Sequence, residues 1–445
     1  MFEHYSTEPI FNVKAVVHQT GVSAATLRAW ERRYGVPNPP RTESGYRLYS
    51  ARDIAIIRWL KAQVDSGLSI SQAVQLLRAQ QAASAPSEPA APAPDLPRAF
   101  QRLHEAILAG ARMFDEERID QALNEAFSLF AVEDVCEGLV QPVLHTVGTL
   151  WASGALDVSM EHFVTNIIRR RLMALINAAP APVREARIIA ACAPQEYHEV
   201  GLLLLTLLLR RRGYGVLYLG QDTPGARLAD AVAQTHAEIV LLSASTLVSA
   251  ANLLDTVELL RAQPSGYRLR IAFGGRVFSR VPALQSRVPA AYLAERARDA
   301  VAQIESLLAA PPTWTGASPQ TDGHHNGSDL LAHLHAQRAQ VVGRFVQAAA
   351  LSAALSPLAT AQLQAVAEEL NAVVLAALRF RLPEALRDLD VVRWREDSTL
   401  HTLPLPLVAD LLAESWRAVI PTSAFELLAP YFVALRAAVQ PHTSV

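Results

Sequence analysis

The chain has 445 residues, 51% of them apolar, with 40 Lys and Arg against 42 Asp and Glu. That length exceeds what one hydrophobic core organises, so several modules are expected, and the near-neutral balance excludes a chain that is basic throughout. No apolar run approaches the roughly 20 residues a membrane helix needs, residues 1–20 are too polar for a signal peptide, and two cysteines, Cys136 and Cys192, cannot build a disulfide framework. A cytoplasmic protein with no membrane partner is the expectation.

Residues Asn12 to Val17 read as a short helix, Thr20-Gly21 as a turn, and Ser23 as the cap of a second helix that runs to Tyr34. The second helix presents Thr26, Arg28, Trp30 and Arg33 on its polar face. After Pro37, Pro39 and Pro40 a ribbon turned at Gly45 carries Arg41, Tyr46, Arg47 and Tyr49. A helix for the major groove and a basic, aromatic wing for phosphates is a winged helix-turn-helix, and these eight residues are the candidate DNA contacts. The run Leu27-Arg28-Ala29-Trp30-Glu31, the Gly45-Tyr46-Arg47 wing and Asp53-Ile54 at the start of the next helix resemble the MerR family, which implies a double-stranded operator as partner. Residues 1–80 hold ten Lys or Arg against six Asp or Glu. A surplus that small suits contacts multiplied by self-association, as a dimer or tetramer on repeated half-sites.

Residues 82–97, rich in Ala, Pro and Ser, read as a linker, and residues 98–180 as a helical bundle. Within the bundle Trp151 is followed after nine residues by Glu161-His162. A bundle Trp is ordinarily core and a Glu-His pair ordinarily surface, but this spacing is similar to that of the cobalamin-dependent photoreceptors of the CarH type. The resemblance implies that Trp151 packs on an adenosyl group and that Glu161 and His162 line the cavity holding it. Light-sensing members place a histidine directly after that Trp; here the position is Ala152, and His145 lies two turns upstream, so a second histidine on cobalt after illumination is not implied.

Residues 184–309 alternate strand and helix at the spacing of a doubly wound sheet. Strands are expected at Ile188 to Cys192, Val216 to Tyr218 ending at Gly220, Ile239 to Ser245, and Leu269 to Phe273 running into Gly274-Gly275. The first strand leads into Glu196-Tyr197-His198-Glu199-Val200-Gly201 and an apolar helix from Leu202 to Leu209. An acid two residues before a histidine can hold one imidazole nitrogen and leave the other for a metal, and a glycine on the first helical turn admits a bulky group. Glu196, His198 and Gly201, the strand end Ser243-Ala244-Ser245, and Gly274-Gly275 together resemble the cobalamin-binding domain shared by methionine synthase and the mutases. The resemblance implies that His198 is the lower axial ligand of cobalt, that Ser243 hydrogen-bonds the buried base of the cofactor, with Ser245 at a binding position where that family often has Leu, and that Gly274 and Gly275 make room for the tail.

Residues 311–327 read as a second linker containing His324-His325 as solvated polar sequence, and 328–445 as an all-α domain broken at Pro357, Pro383, Pro404-Pro406, Pro421 and Pro430. The layout is similar to photocobilins, whose cobalamin domain precedes a bilin-binding one. With no cysteine to attach it, a bilin such as biliverdin would be held noncovalently by residues such as Arg393, Trp394, Arg395, His401 and Trp416.

The fold class expected is multidomain: a winged helix-turn-helix, a helical bundle, an α/β doubly wound parallel sheet and a C-terminal all-α domain. The function expected is a light-responsive transcriptional repressor, not an enzyme, in which adenosylcobalamin sets self-association and DNA affinity. A dual cobalamin and bilin photoreceptor, a light-independent cobalamin-level sensor, and a mutase or methyltransferase are the alternatives.

Overall fold

A computed structural model describes residues 2, 5–40, 46–65, 70, 73–74, 77, 96–263, 268–311, 324–352, 354–355, 360–388 and 404–439. The chain forms two compact units, residues 1–95 and 96–445.

In the first unit α1 (Val13–Thr20) is capped by the Asn12 side chain, which accepts from the Ala15 N–H at 3.0 Å, and ends at Gly21 in the left-handed conformation. Two residues later Ser23 caps α2 (Ala24–Tyr34) by accepting from the Thr26 N–H at 3.1 Å. Ser50 and Asp53 cap α3 (Ala51–Asp65) reciprocally, the Ser50 N–H donating to Asp53 and the Asp53 N–H to Ser50. An antiparallel bridge ties Phe11 to Tyr49.

The second unit opens with four helical passes: α4 (Leu96–Met113), α5 (Glu116–Leu129), a broken pass of α6 (Val132–Val135), a π turn (Cys136–Val140) and α7 (Gln141–Ala152), then α8 (Val158–Asn177). Leu103, Ile107, Leu123, Leu139, Val143 and Leu172 fill their core. The π turn brings Gly138 so close to the Phe100 ring that a Cβ there would lie 2.4 Å from it.

Five parallel strands follow in the order β2-β1-β3-β4-β5: β1 (Arg184–Cys192), β2 (Tyr214–Gly220), β3 (Ile239–Ser243), β4 (Arg270–Gly274) and β5 (Ala291–Tyr292). β3, β4 and the second half of β1, from Ile188 on, are short apolar runs buried on both faces, as crossover helices require. One face is covered by α9 (Val200–Arg211) and by a later helix whose Ala300, Val301 and Ile304 join the same core. The other carries α10 (Gly225–Thr235), α11 (Leu247–Ala262) and α12 (Arg276–Arg280). The later helix on the first face is α13 (Ala297–Ala309). Leu203, Leu204 and Leu207 of α9 belong to the bundle core, so bundle and sheet are continuous there.

The final helices are α14 (His324–Leu351), α15 (Thr360–Phe380), α16 (Leu405–Arg417) and α17 (Thr422–Ala438). Their core, with Phe345, Phe380 and Trp416, is continuous with the apolar surface of α11, so they add a layer to the α/β domain. Two expectations are corrected here. His324-His325 open α14 and do not lie in a linker, since Gly327 alone costs a helix only about 1 kcal/mol. Pro430 does not break its segment: α17 runs through it, with the ring on the exposed side where water can take up the released carbonyl. Pro383 opens a 3-10 turn, Pro404 and Pro421 stand at helix starts, and Pro357 lies outside the described residues. Among the described residues no helix is long and apolar enough to cross a membrane.

Cys136 is buried in the bundle core and Cys192 at the end of β1, both as free thiols. Burial pushes the Cys136 thiol up to about 12 and pushes Cys192 up as well.

Candidate functional site

Strand order reverses between β1 and β3, and a crevice at the carboxyl ends of those two strands is where open α/β sheets bind ligands. Their last rungs align Cys192 with Ser243 and Ser243 with Gly274, so three strand ends meet side by side.

Beyond β1 the chain turns at Gln195, a left-handed residue (φ 62), whose N–H donates to Asp222 Oδ1 at 2.8 Å. Asp222 in turn donates its N–H to the Glu196 carbonyl at 3.0 Å, and Gln221 donates to the Tyr197 carbonyl at 2.6 Å. The loop after β2 therefore fixes the loop that carries His198.

Glu196 has no exposed surface and accepts four hydrogen bonds. Its Oε1 takes the His198 N–H at 2.7 Å and the His198 Nδ1–H at 2.8 Å. Its Oε2 takes the Ser249 hydroxyl at 2.7 Å and the Ser245 N–H. Burial alone would raise this carboxyl, but the hydrogen bonds from the His198 ring, the His198 backbone N–H and the Ser249 hydroxyl together hold it below the usual range. An ionised Glu196 selects the tautomer with the proton on Nδ1, which leaves the Nε2 lone pair of a 56% exposed imidazole facing out; among the described residues Nε2 has no partner. Ser249 sits in the first turn of α11, inside a capping box with Thr246.

The glycines divide. Around Gly201, on the first turn of α9, no atom lies within 4 Å of where a Cβ would stand, so the space beside His198 is open. A Cβ on Gly274 would meet Leu293 at an ordinary 3.9 Å. Gly275 has φ 120, and a Cβ there would lie 1.9 Å from the Ala244 carbonyl oxygen, so only glycine lets this turn pass beneath the β3 end. Ser243 is half-buried at that end and Ser245 presents its backbone N–H to Glu196.

In the bundle, Trp151 lies at the end of α7 half-buried, with its indole N–H buried and unpartnered. Glu161 and His162 lie on the first turns of α8: Glu161 accepts from Thr165 at 2.7 Å and stands 3.5 Å from His162 Nε2. Arg169, on the same face two turns later, meets Glu199 at 3.4 Å, and Tyr218 donates its hydroxyl to the other oxygen of that carboxylate. Burial, then the Glu199 hydrogen bond, pushes the Tyr218 phenol up. A polar line thus runs along α8 from Glu161 for roughly 12 Å to the residue beside His198. No hydrogen bond or ion pair links Trp151, Glu161 or His162 to His198 directly among the described residues. The sequence reading missed Ser249, Glu199, Tyr218 and Arg169; for Glu199 the signal available was an acid directly after the histidine at the start of an apolar helix.

This arrangement fits a corrinoid. An outward imidazole nitrogen with a buried anion behind it and an open first helical turn suit a histidine that ligates a cobalt macrocycle. Among the described residues no group of three or more His, Cys, Asp and Glu could hold a metal ion.

Of the expected DNA contacts in the first unit, Arg28 and Tyr46 are exposed and Thr26 is half-exposed, its hydroxyl 2.8 Å from Ser23. Two expected contacts are corrected: Trp30 is 9% and Tyr49 1% exposed, both in the core of the first unit, because their rings cover Val16, Leu27 and Ile57 better than they could face water. Arg47 directs its guanidinium at Glu31 in a two-pronged pair (2.7 and 3.3 Å), joining the ribbon to α2. Arg41, Ser44 and Gly45 lie outside the described residues, as does the Arg33 side chain. Of the residues expected to hold a bilin, Trp416 is fully buried and donates to Asn371 at 2.6 Å, which makes it core; Arg393, Trp394, Arg395 and His401 lie outside the described residues.

Comparison with known proteins matches residues 11–80 to the MerR HTH family of regulatory proteins, and 99–176 and 186–305 to two B12 binding domain families. The HTH-type transcriptional repressor CarH of Myxococcus xanthus is 36% identical over 261 residues, 58% of this chain and 87% of that protein. The repressor CarA of the same organism is 35% identical over 234 residues, 52% of this chain and 75% of that one. Among solved structures, the Methanosarcina barkeri monomethylamine corrinoid protein is 19% identical, with a TM-score of 0.40 over 47% of this chain and 98% of that one. A MerR HTH match, two B12-binding matches and identity across most of both repressors place the chain in the family of HTH-type transcriptional repressors that includes CarH and CarA.

Proposed function

We propose that this protein represses transcription from a double-stranded operator in the cytoplasm, and that adenosylcobalamin held between bundle and sheet sets its self-association and hence its grip on DNA. The observation that carries the reading is the relay His198, Glu196 and Ser249 at the switch point, joined in one chain to a helix-turn-helix. His198 would offer its free Nε2 to the cobalt. Ser243, Ser245, Gly274 and Gly275 border the channel for the buried base and tail, and Trp151, Glu161 and His162 border the space for the upper group. When bound, the cofactor supplies a cobalt–carbon bond that green light breaks. The chain's own contribution is the Arg169 to Glu199 contact, which ties α8 to the residue beside His198, so a bundle that shifts when its upper space empties must part that pair.

The test is absorption of the full chain purified with adenosylcobalamin and biliverdin, in darkness and after green light, with size exclusion on both samples. A light-dependent spectrum with a change of assembly supports the proposal. A bound cobalamin without either change favours a cofactor-level sensor, a reading that Ala152, in place of a second histidine, also favours. A red band that survives His198→Ala would assign a bilin to the final helices, and turnover of an acyl-coenzyme A would turn the reading toward a mutase. His198→Ala should itself abolish the histidine-ligated spectrum; an unchanged spectrum removes His198 from the ligand role.

Arg28 is exposed on α2. Arg28→Ala is expected to weaken operator binding by about 1–3 kcal/mol if it reads a base and to leave cobalamin uptake untouched. Electrophoretic mobility shifts beside a cobalamin titration measure both, and loss of the two together would contradict separate modules.

A further inference from the structure

The helix that steadies the relay at one end is gripped at its middle by the C-terminal helices. Ser249, in the first turn of α11, donates to Glu196. Further along the same helix Asp255 and Glu258 both receive the Arg379 guanidinium of α15, Nε to Asp255 at 2.7 Å and the terminal nitrogen to Glu258 at 2.5 Å. Arg379 is only 20% exposed although its partners are half-exposed, so one cation is enclosed between two anions of a single helix. Burial disfavours its charge, but the two carboxylates outweigh that and raise its affinity for the proton. α11 has nine buried residues and lies in one apolar core with the sheet and α15, so it is enclosed along its length as a close-packed element.

We propose that Arg379 is a positioning residue for the cobalt ligand: the C-terminal helices set the axial placement of α11, hence of Ser249, Glu196 and the His198 imidazole. The inference rests on the cobalamin reading. Six residues separate Ser249 from Asp255, roughly 9 Å of helix, and a rigid rod passes a displacement at one end to the other undiminished. A slide of about 1 Å would stretch the Ser249 to Glu196 hydrogen bond beyond range and leave that carboxylate oxygen with the Ser245 N–H as its remaining donor, so that the carboxylate can turn and take the imidazole with it. Coupling is reciprocal, so occupation of His198 must in turn bias how α15 seats on α11. The last helices would then be a second input or an output of the cofactor site, acting without any residue in the crevice.

The full chain titrated with adenosylcobalamin in darkness tests this, reading affinity and the share of cofactor with the histidine-ligated spectrum. Arg379→Gln should weaken binding about five-fold or more and lower the histidine-ligated share. Arg379→Lys should restore much of both. In a Ser249→Ala background Arg379→Gln should add little, because the path is already cut. Unchanged spectrum and affinity in Arg379→Gln, with Ser249→Ala shifting both, would overturn the coupling and leave the cobalamin reading intact; additive effects in the double variant would overturn it equally. No cobalamin bound by the unaltered chain would instead remove the reading beneath it. Should Arg379→Gln fail to fold, Asp255→Asn with Glu258→Gln removes the same ion pairs from the exposed side and carries the same expectations.

Discussion

Replacing Gly275 by alanine is expected to destabilise the larger unit by roughly 3 kcal/mol or more, the largest loss from adding one carbon anywhere near the site. Two costs coincide. The backbone sits at φ 120, a region L side chains rarely adopt, and the new Cβ would stand 1.9 Å from the Ala244 carbonyl oxygen and 2.7 Å from its carbon. Both obstructing atoms are backbone at the end of β3, so relief would have to move the strand end that carries Ser243 and Ser245. Gly274 is the control, since its Cβ would find only Leu293 at 3.9 Å. Gly274→Ala should change stability by less than about 1 kcal/mol while still crowding the channel proposed for the cofactor's tail. Urea denaturation of the two variants, followed by circular dichroism, separates them; equal midpoints would mean that the turn does not pass so close under β3.

Glu196→Gln should be more damaging than its shape suggests. The carboxylate accepts two donors on each oxygen: the His198 N–H and Nδ1–H on one, the Ser249 hydroxyl and Ser245 N–H on the other. A glutamine has one acceptor oxygen, so whichever way the amide is turned its NH₂ faces two donors. Turned toward His198, it pushes the imidazole to the tautomer protonated on Nε2, and the lone pair meant for cobalt is lost. Turned toward Ser249, it leaves the Ser245 N–H without its acceptor, at about 1–3 kcal/mol, while the Ser249 hydroxyl can still donate to the Thr246 carbonyl at 3.1 Å. Cobalamin affinity should fall about 10- to 100-fold, the usual effect of losing the group behind a metal-binding histidine, with a shift toward the form lacking protein histidine on cobalt. Retained affinity with an unshifted spectrum would mean that Glu196 serves only the loop's fold.

The readable parts of this chain were those whose physics is local. Buried strands alternating with helices announced the sheet, though β5, two residues long, is too short to leave a pattern. Glu196 and His198 stood out because an acid and an imidazole two residues apart after a strand have few structural uses. Ser249 did not, because it reaches Glu196 across 53 positions and in the sequence is only an ordinary residue in the first turn of a helix. Arg169 and Arg379 are silent for the same reason: an arginine on a helix reads as solvated surface until its partner from another element is known. Trp30 and Tyr49 misled in the opposite sense, since an aromatic among arginines invites a nucleic-acid reading, while a unit this small draws on both rings for its own core.

The two buried thiols make the layers of the larger unit separately readable. Cys136 stands in the bundle and Cys192 at the last rung of β1, and burial holds both away from the thiolate form that reacts with alkylating reagents. Each can be consumed only when its own surroundings open. The chain therefore carries a native clock in each layer: the rate at which Cys136 is alkylated times the loosening of the bundle, and the rate at Cys192 that of the sheet, in darkness and in light, with no added label.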